Sequence, residues 1–419
     1  MLIAGEASGD LLAAELVGAL RQELITVLAA PTSDAQPLHA SLEPTFFGAG
    51  GPCMAAAGVD LAFDMTAHSV IGLWEAVKNF GKFRELFHRL YQLALERQPD
   101  AIICVDFSGF NRRFAHAIKT YVRGHSDWFH DWKPAVIQYV SPQVWASREG
   151  RAYKMARDFD LLLSTFPFEK EWYAQRVPEL PVEFVGNPVV DRHANRFAPA
   201  GRSPATGGGS TPGTTNIVLL PGSRPGELRR HLPVLLAAAK KIQAVRPATF
   251  HLVLPHSSLA DYARRLDGQG NGVEVQVGGL DNALGTADLA ITKSGTITLE
   301  CAFFGVPAIV FYKTSALTYL VGKQVVKVRH IAMPNLLSGE EIFPEFVQGA
   351  ATAENLSRTA LELLDDAARR QRVKTRLAEV VSGLGGPGAS RRAAKAIAGL
   401  LQPCPPLAHE PGQAHTPET

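Results

Sequence analysis

Short apolar runs alternate with amphipathic helical stretches along most of this chain, and that alternation constrains the fold more than any single residue. The runs are 45–48, 101–106, 136–140, 161–165, 217–220, 250–254, 289–292 and 308–312, with helical spacing over 11–23, 75–96 and 233–244. Apolar strands separated by helices build parallel sheets covered on both faces. At 419 residues the chain exceeds what one core holds, so two domains are expected. Both halves carry the same pattern, which predicts two Rossmann-like, doubly wound α/β domains facing a cleft. The boundary falls near residues 187–191, giving domains 1–188 and 189–402. The stretch 199–215, rich in Gly, Ser, Thr and Pro, reads as a flexible insertion, and 403–419 as a disordered tail.

Charge narrows the partners. Forty-two basic residues face 40 acidic ones, for a net charge of +2, so a nucleic-acid partner is not expected. Cys53, Cys104, Cys301 and Cys404 lie far apart with no CxxC pair. That argues against a zinc ribbon or disulfide framework and fits a reducing compartment. The longest apolar stretch, 301–312, contains Gly305 and Pro307 and is short of the roughly 20 residues a span needs. The amino terminus lacks a secretory pattern. Any membrane contact is therefore expected to be peripheral.

Several strand-to-helix turns carry candidate chemistry. Ala4-Gly5-Glu6-Ala7-Ser8-Gly9-Asp10 places glycines before a helix, where an anion or a Ser/Asp cap fits. Gly48-Ala49-Gly50-Gly51-Pro52 reads as a plain glycine-rich turn rather than a dinucleotide loop. Asp106 ends an apolar strand and is either a general base or a helix cap. Tyr139 to Arg148 (YVSPQVWASR) offers Trp145 and Arg148 to a sugar or phosphate, or Trp145 to the core. Leu220-Pro221-Gly222-Ser223-Arg224 and Ser294-Gly295-Thr296, with Glu300 one turn on, together point to a nucleotide diphosphate and ribose. Asn335 sits in an apolar loop, where an amide usually satisfies backbone groups. Asp158-Phe159-Asp160 has DxD spacing but precedes an apolar strand, so a metal role is not expected. Trp74, Val77, Phe80, Phe83, Phe87, Leu90 and Leu93 form a helical stripe with basic flanks. Such a face is either core or an interfacial surface, the latter best at Val70, Ile71, Leu73 and Trp74.

In this order the motifs resemble the lipid-A-disaccharide synthase family. They are AGEASGD (Ala4 to Asp10), GAGGP (Gly48 to Pro52), Met65 to Glu75, Asp106 before Phe110-Asn111, YVSPQVWASR, FPFE (Phe166 to Glu169), LLPGSRPGE (Leu219 to Glu227), SGTITLE (Ser294 to Glu300) and PNLL (Pro334 to Leu337). The resemblance runs roughly from residue 1 to 400. It implies the GT-B arrangement and an inverting transfer from UDP-2,3-diacylglucosamine to 2,3-diacylglucosamine 1-phosphate, giving the β-1′,6-linked disaccharide 1-phosphate and UDP. It also implies a peripheral enzyme on the cytoplasmic face of the inner membrane, needing no metal or other cofactor, with Val70, Ile71, Leu73, Trp74 and Val77 toward lipid. Asp106 would be the base and Arg224 would stabilise the leaving diphosphate. Gly222, Ser223, Ser294, Gly295, Thr296, Glu300 and Asn335 would hold the nucleotide. Glu6, Ser8, Trp145 and Arg148 would line the acceptor side. The C-terminal segment, residues 387–401, is the part that such a chain can exchange in a homodimer. The chain departs from the family pattern in its short first strand, Gly109 in place of a second Asp, Asn187-Pro188 in place of His-Pro, Ser147 in place of an aromatic residue, and the 199–215 insertion. Competing readings are another UDP-N-acetylglucosamine enzyme of this architecture, with a different lipid acceptor or 2-epimerase activity, and a non-catalytic nucleotide-sugar-binding protein.

Overall fold

Among the described residues, thirteen strands assemble into two all-parallel sheets. The structure is a computed structural model that describes residues 1–28, 43–66, 80–126, 129–193, 214–267, 272–315, 319 and 328–402. The first sheet contains β1 (Leu2–Ala4), β2 (Phe47–Gly50), β3 (Asp60–Asp64), β4 (Ala101–Val105), β5 (Ala135–Tyr139), β6 (Leu161–Ser164) and β7 (Val182–Phe184), in spatial order β3-β2-β1-β4-β5-β6-β7. The second contains β8 (Thr215–Leu220), β9 (Ala248–Leu254), β10 (Val273–Val277), β11 (Leu289–Lys293), β12 (Ala308–Tyr312) and β13 (Glu345–Val347), in order β10-β9-β8-β11-β12-β13. Each sheet has apolar clusters on both faces, as parallel strands without a wet side require.

The strand order reverses between β1 and β4 in one sheet and between β8 and β11 in the other. At such switch points the loops beyond the carboxyl ends part and leave a crevice for a ligand. Glu6 and Asp106 follow β1 and β4, while Gly222–Arg224 and Ser294–Thr296 follow β8 and β11. The topology thus gathers four of the motif-bearing turns at two crevices.

Besides the three-residue β1, apolar-run counting misses β3, β7, β10 and β13, which are the four sheet edges. They are short or half-polar because one side meets solvent. β2 is displaced from the expected 45–48 and includes Gly48 and Gly50, so most of the glycine-rich stretch read as a turn is strand. Gly48 is needed there: a Cβ on it would lie 1.9 Å from the Leu2 carbonyl oxygen of β1.

The helix Ala389–Leu401, counted from sequence with the second domain, packs on the first. Its Ala393, Ala394 and Ile397 join Leu12, Leu16 and Leu20 of the helix Ala7–Leu28 in one buried cluster. The chain therefore crosses twice between the domains. The crossings are tied together where the Asn187 N–H donates to Leu384 O at 2.9 Å and Arg392 Nε donates to Val185 O at 2.8 Å. An apolar seam beside them contains Phe166, Val189, Val190, Leu299, Met333 and Leu384.

Candidate active site

Three residues with left-handed backbone lie at the carboxyl ends of two neighbouring strands. Asp106 and Phe107, after β4, have φ of 49° and 42°, and Val140, after β5, has 68°. Left-handed backbone at such residues is strained and persists only where its surroundings hold it. Two buried amides do so. Asn111 Nδ2 donates to the carbonyls of Asp106 (2.8 Å) and Val105 (3.3 Å). Gln138 Nε2 donates to the carbonyls of Asp106 (3.1 Å), Tyr139 (3.2 Å) and Val140 (3.2 Å). The Phe107 ring packs against Gly5, where a Cβ would lie 2.3 Å from it. The clamped peptide leaves the half-buried Asp106 carboxyl at the carboxyl end of β4.

That carboxyl is pushed above the usual aspartate range, first by burial and then by the nearby charge of Glu6. The Phe107 N–H and Arg224 pull the other way. Arg224 comes from the opposite domain and reaches across the cleft to put Nη2 3.4 Å from Glu6 Oε1. A carboxyl group whose acidity burial weakens, a second carboxylate and a guanidinium thus converge from both switch points. Such a set can take a proton from a hydroxyl on one side and meet developing negative charge on the other.

A cavity of about 770 Å³ opens in the second domain, lined by Gly222, Ser223, Val253, Pro255, Gly278, Gly279, Asp281, Lys293, Thr296 and Glu300 among others. Its size suits a nucleotide-sized ligand. Gly222 has φ 120°, and a Cβ there would lie 2.3 Å from Glu227 Oε2. The turn therefore folds tightly over Glu227, which accepts from the Ser223 N–H (3.2 Å) and lies 3.5 Å from Lys293 Nζ. Glu300, deeper in, is held by His193: Nε2 donates to Glu300 Oε2 at 2.7 Å, and Nδ1 lies 3.4 Å from Asp281 Oδ2. His193 is buried against the rings of Phe303 and Phe304.

A protein-family model described as lipid-A-disaccharide synthetase matches residues 1–398. The lipid-A-disaccharide synthases of Geobacter metallireducens and Myxococcus xanthus are 36% and 35% identical to the chain over 407 residues, 96% of its length and 97% of theirs. The chain belongs to this family. It is a hexosyltransferase of lipid A biosynthesis. Among solved structures, Staphylococcus aureus MnaA with UDP aligns at TM-score 0.58 and 14% identity, over 96% of each chain. Acinetobacter baumannii MurG aligns at TM-score 0.52 and 14% identity, over 95% of this chain and 98% of its own. At that identity the likeness concerns the fold alone, the GT-B pair of facing Rossmann-like domains.

The residues expected of a synthase of this family divide in the structure. Gly222, Ser223, Thr296 and Glu300 line the cavity of the second domain, and Glu6, Asp106 and Arg224 draw together across the cleft. Ser8 is exposed on the first turn of the helix Ala7–Leu28, and Arg148 is exposed after β5. Ser294 does not line the cavity, because its hydroxyl donates to Ile331 O at 2.7 Å. Gly295, also outside the lining, holds φ 137°. Asn335 is a correction. It is fully buried, donates to Phe343 O and Glu345 Oε1 (both 2.8 Å), and accepts from the N–H groups of Ile342 and Phe343 (both 2.9 Å). With every polar atom used to clamp its own loop, it has nothing to offer a nucleotide. Trp145 is a second correction. It is buried, its indole donates to Glu169 Oε1 at 2.9 Å, and Phe168 packs edge-on, so it forms core behind the acceptor wall.

Asp158 pairs with Arg157 and His116, and Asp160 with Lys119. The GAGGP turn is occupied by Asp10, whose carboxylate accepts from the N–H groups of Gly51 (2.8 Å), Cys53 (2.9 Å) and Met54 (3.0 Å). Val70, Ile71, Leu73, Trp74 and Val77 lie outside the described residues, while at the other end of that stripe Leu90 is core and Phe83, Phe87 and Leu93 are half-buried. No helix of the described residues is long and apolar enough to cross a membrane. Sequence reasoning missed Asn111, Gln138, Lys293 and His193 as parts of the site. Lys293 was legible, since it immediately precedes Ser294 at the end of a strand. His193 had no signal, because a lone histidine acquires meaning only when Glu300 and Asp281 are brought to it from about a hundred residues away.

Proposed function

We propose that the chain joins UDP-2,3-diacylglucosamine to 2,3-diacylglucosamine 1-phosphate, with inversion at the donor's C1. The observation that carries this reading is the meeting of Asp106 and Glu6 with Arg224 across the cleft, beside a cavity of nucleotide size. The acceptor's 6-hydroxyl oxygen bonds to C1 as the bond from C1 to the diphosphate oxygen breaks. The hydroxyl proton passes to Asp106, and the electron pair leaves with UDP. A base whose acidity burial has weakened holds that proton better at neutral pH. Charge developing on the diphosphate is met by Arg224 and Lys293, which is transition-state stabilisation by groups already in place. Glu300, oriented by His193, accepts from the ribose hydroxyls. With two cationic side chains assigned to the leaving group, turnover is expected without added metal.

Both substrates carry acyl chains, which favours work at a membrane surface, here the cytoplasmic face of the inner membrane. The segment bearing Val70, Ile71, Leu73, Trp74 and Val77 is the proposed contact, as an apolar face with basic flanks. Ala389–Leu401 is the helix that a homodimer would exchange. The test is a turnover assay in mild detergent with EDTA, with product identified by mass spectrometry. Disaccharide 1-phosphate and UDP are expected. UDP binding without product, or turnover only of soluble UDP-N-acetylglucosamine, would overturn the reading.

A further inference from the structure

His231 takes no part in the chemistry described so far, yet it stands directly behind the turn that carries Gly222, Ser223 and Arg224. It lies on the helix Pro225–Gln243, which starts just after that turn, and it is fully buried. Its ring packs edge-on against Phe311 of β12, with 5.0 Å between centroids. Nδ1 lies 2.6 Å from the Pro221 carbonyl oxygen. Nε2 lies 3.2 Å from the Lys313 nitrogen and 3.1 Å from the Lys313 carbonyl oxygen. In a neutral ring these contacts fix the place of the proton. A carbonyl oxygen only accepts, so Nδ1–H donates to Pro221, and the lone pair on Nε2 accepts from the Lys313 N–H. Burial, with Lys293 nearby, favours the neutral ring and holds it below the ordinary histidine range, against the pull of the two backbone contacts and of Glu227.

The two bonds join the carboxyl ends of two strands. Pro221 follows β8 and Lys313 follows β12, and β11 runs between them. Gly222 and Ser223 after β8, and Lys293 and Thr296 at the end of β11, all line the cavity. His231 is behind these residues and not among those lining it. The turn needs such support, because Gly222 at φ 120° leaves the peptide beside it free to rotate. Glu227, four residues before His231 and so on the same helix face, accepts from the Ser223 N–H at 3.2 Å. One helix thus grips the turn at two points, one on each side of Gly222.

We propose that His231 is a positioning residue of the donor site, holding the turn from Pro221 to Arg224 in the one conformation that meets a nucleoside diphosphate. This rests on the reading of the cavity as the donor site. The experiment measures UDP affinity by calorimetry, and KM for each substrate, on the full chain and on His231→Asn, His231→Gln and His231→Leu. Asn carries its amide nitrogen as far from the backbone as Nδ1, and Gln carries its own as far as Nε2. His231→Gln and His231→Leu should weaken UDP binding by about 3- to 10-fold, the worth of one neutral hydrogen bond. KM for the UDP-sugar should rise alike, with KM for the acceptor unchanged. His231→Asn should recover most of the affinity. In the unaltered chain, nitrogen NMR of labelled histidine, with the His231 signals identified by their absence from His231→Asn, should show the proton on Nδ1 at neutral pH. A proton on Nε2 or a charged ring would overturn the proposal, as would equal losses in the Asn and Gln variants. A lower melting temperature in His231→Leu with UDP bound as tightly as by the parent would mean a purely structural residue and would overturn it too. Should His231→Leu not fold, the contrast between Asn and Gln carries the same test. If the unaltered chain does not bind UDP, the donor-site reading falls and the proposal with it. If it does and the variants match it, only the role of His231 is wrong.

Discussion

Of the carboxyl groups that burial pushes up, Asp106 and Glu169 have opposite uses. Asp106 keeps one face toward the cleft, where its raised acidity constant suits a base. Because only the ionised form can accept a proton, kcat/KM should fall as pH drops through that constant. The acid limb should therefore lie above the ordinary aspartate value of about 4. A limb at or below that value would remove the burial argument. Glu169 is fully enclosed with Trp145 and the Phe166 N–H, and burial pushes it up to about 7. It lies behind the acceptor wall and holds a proton that the unfolded chain would release. The unfolded state ionises first as pH rises, so the native state loses stability between about 4.3 and about 7 and levels off above that. Glu169→Gln, which imitates the neutral acid, should match the parent in denaturant unfolding near pH 4 and exceed it at pH 8. A variant equally destabilised at both values would contradict this.

At the level of elements, much of the site was legible because a strand-end turn with glycines, a carboxylate or a guanidinium advertises itself. What holds the turns was not. Asn111 reads as an ordinary helical residue, yet two carbonyls on the strained β4 end depend on it. Asn111→Ala should take the side-chain donor from the Val105 carbonyl and leave the Asp106 carbonyl to Gln138 alone, at a cost of about 1–3 kcal/mol, and lower kcat far more than it raises KM for either substrate, because Asp106 loses part of what aims it. Equal kcat with a lower melting temperature would make the amide purely structural. The interior strands of both sheets except the three-residue β1 were readable as apolar runs, whereas β3, β7, β10 and β13 were hidden by the polarity that edges require. The return of Ala389–Leu401 to the first sheet was hidden as well, since an alanine-rich stripe fits any close helix pair. Packing against Leu12 and Leu16 makes it part of the first domain's core. Ile397→Ala should destabilise that core by about 2–4 kcal/mol while leaving UDP affinity unchanged, which calorimetry would check. A loss of UDP affinity without a loss of stability would refute this placement.

For the molecule as a whole, the two switch points face one another, so neither domain holds the reaction alone. Glu6 and Asp106 belong to the first sheet, Arg224 and the donor cavity to the second, and the Arg224–Glu6 contact spans the gap. The two crossings near Asn187 and Leu384, with the seam of Phe166, Val189, Leu299 and Met333, fix how the halves meet. Asn335 clamps a loop beside that seam, and the Asp10 carboxylate fills the glycine turn and takes the N–H groups a phosphate would need. The proposed chemistry therefore centres on Asp106. The most direct test is Asp106→Asn, assayed for disaccharide formation with UDP affinity and melting temperature measured on the same preparation. The account predicts a fall in kcat of about 10²- to 10⁴-fold, UDP affinity unchanged, and stability at neutral pH equal to or above the parent's, because a carboxylate that burial disfavours has been removed. An Asp106→Asn enzyme turning over at the parent's rate would contradict it.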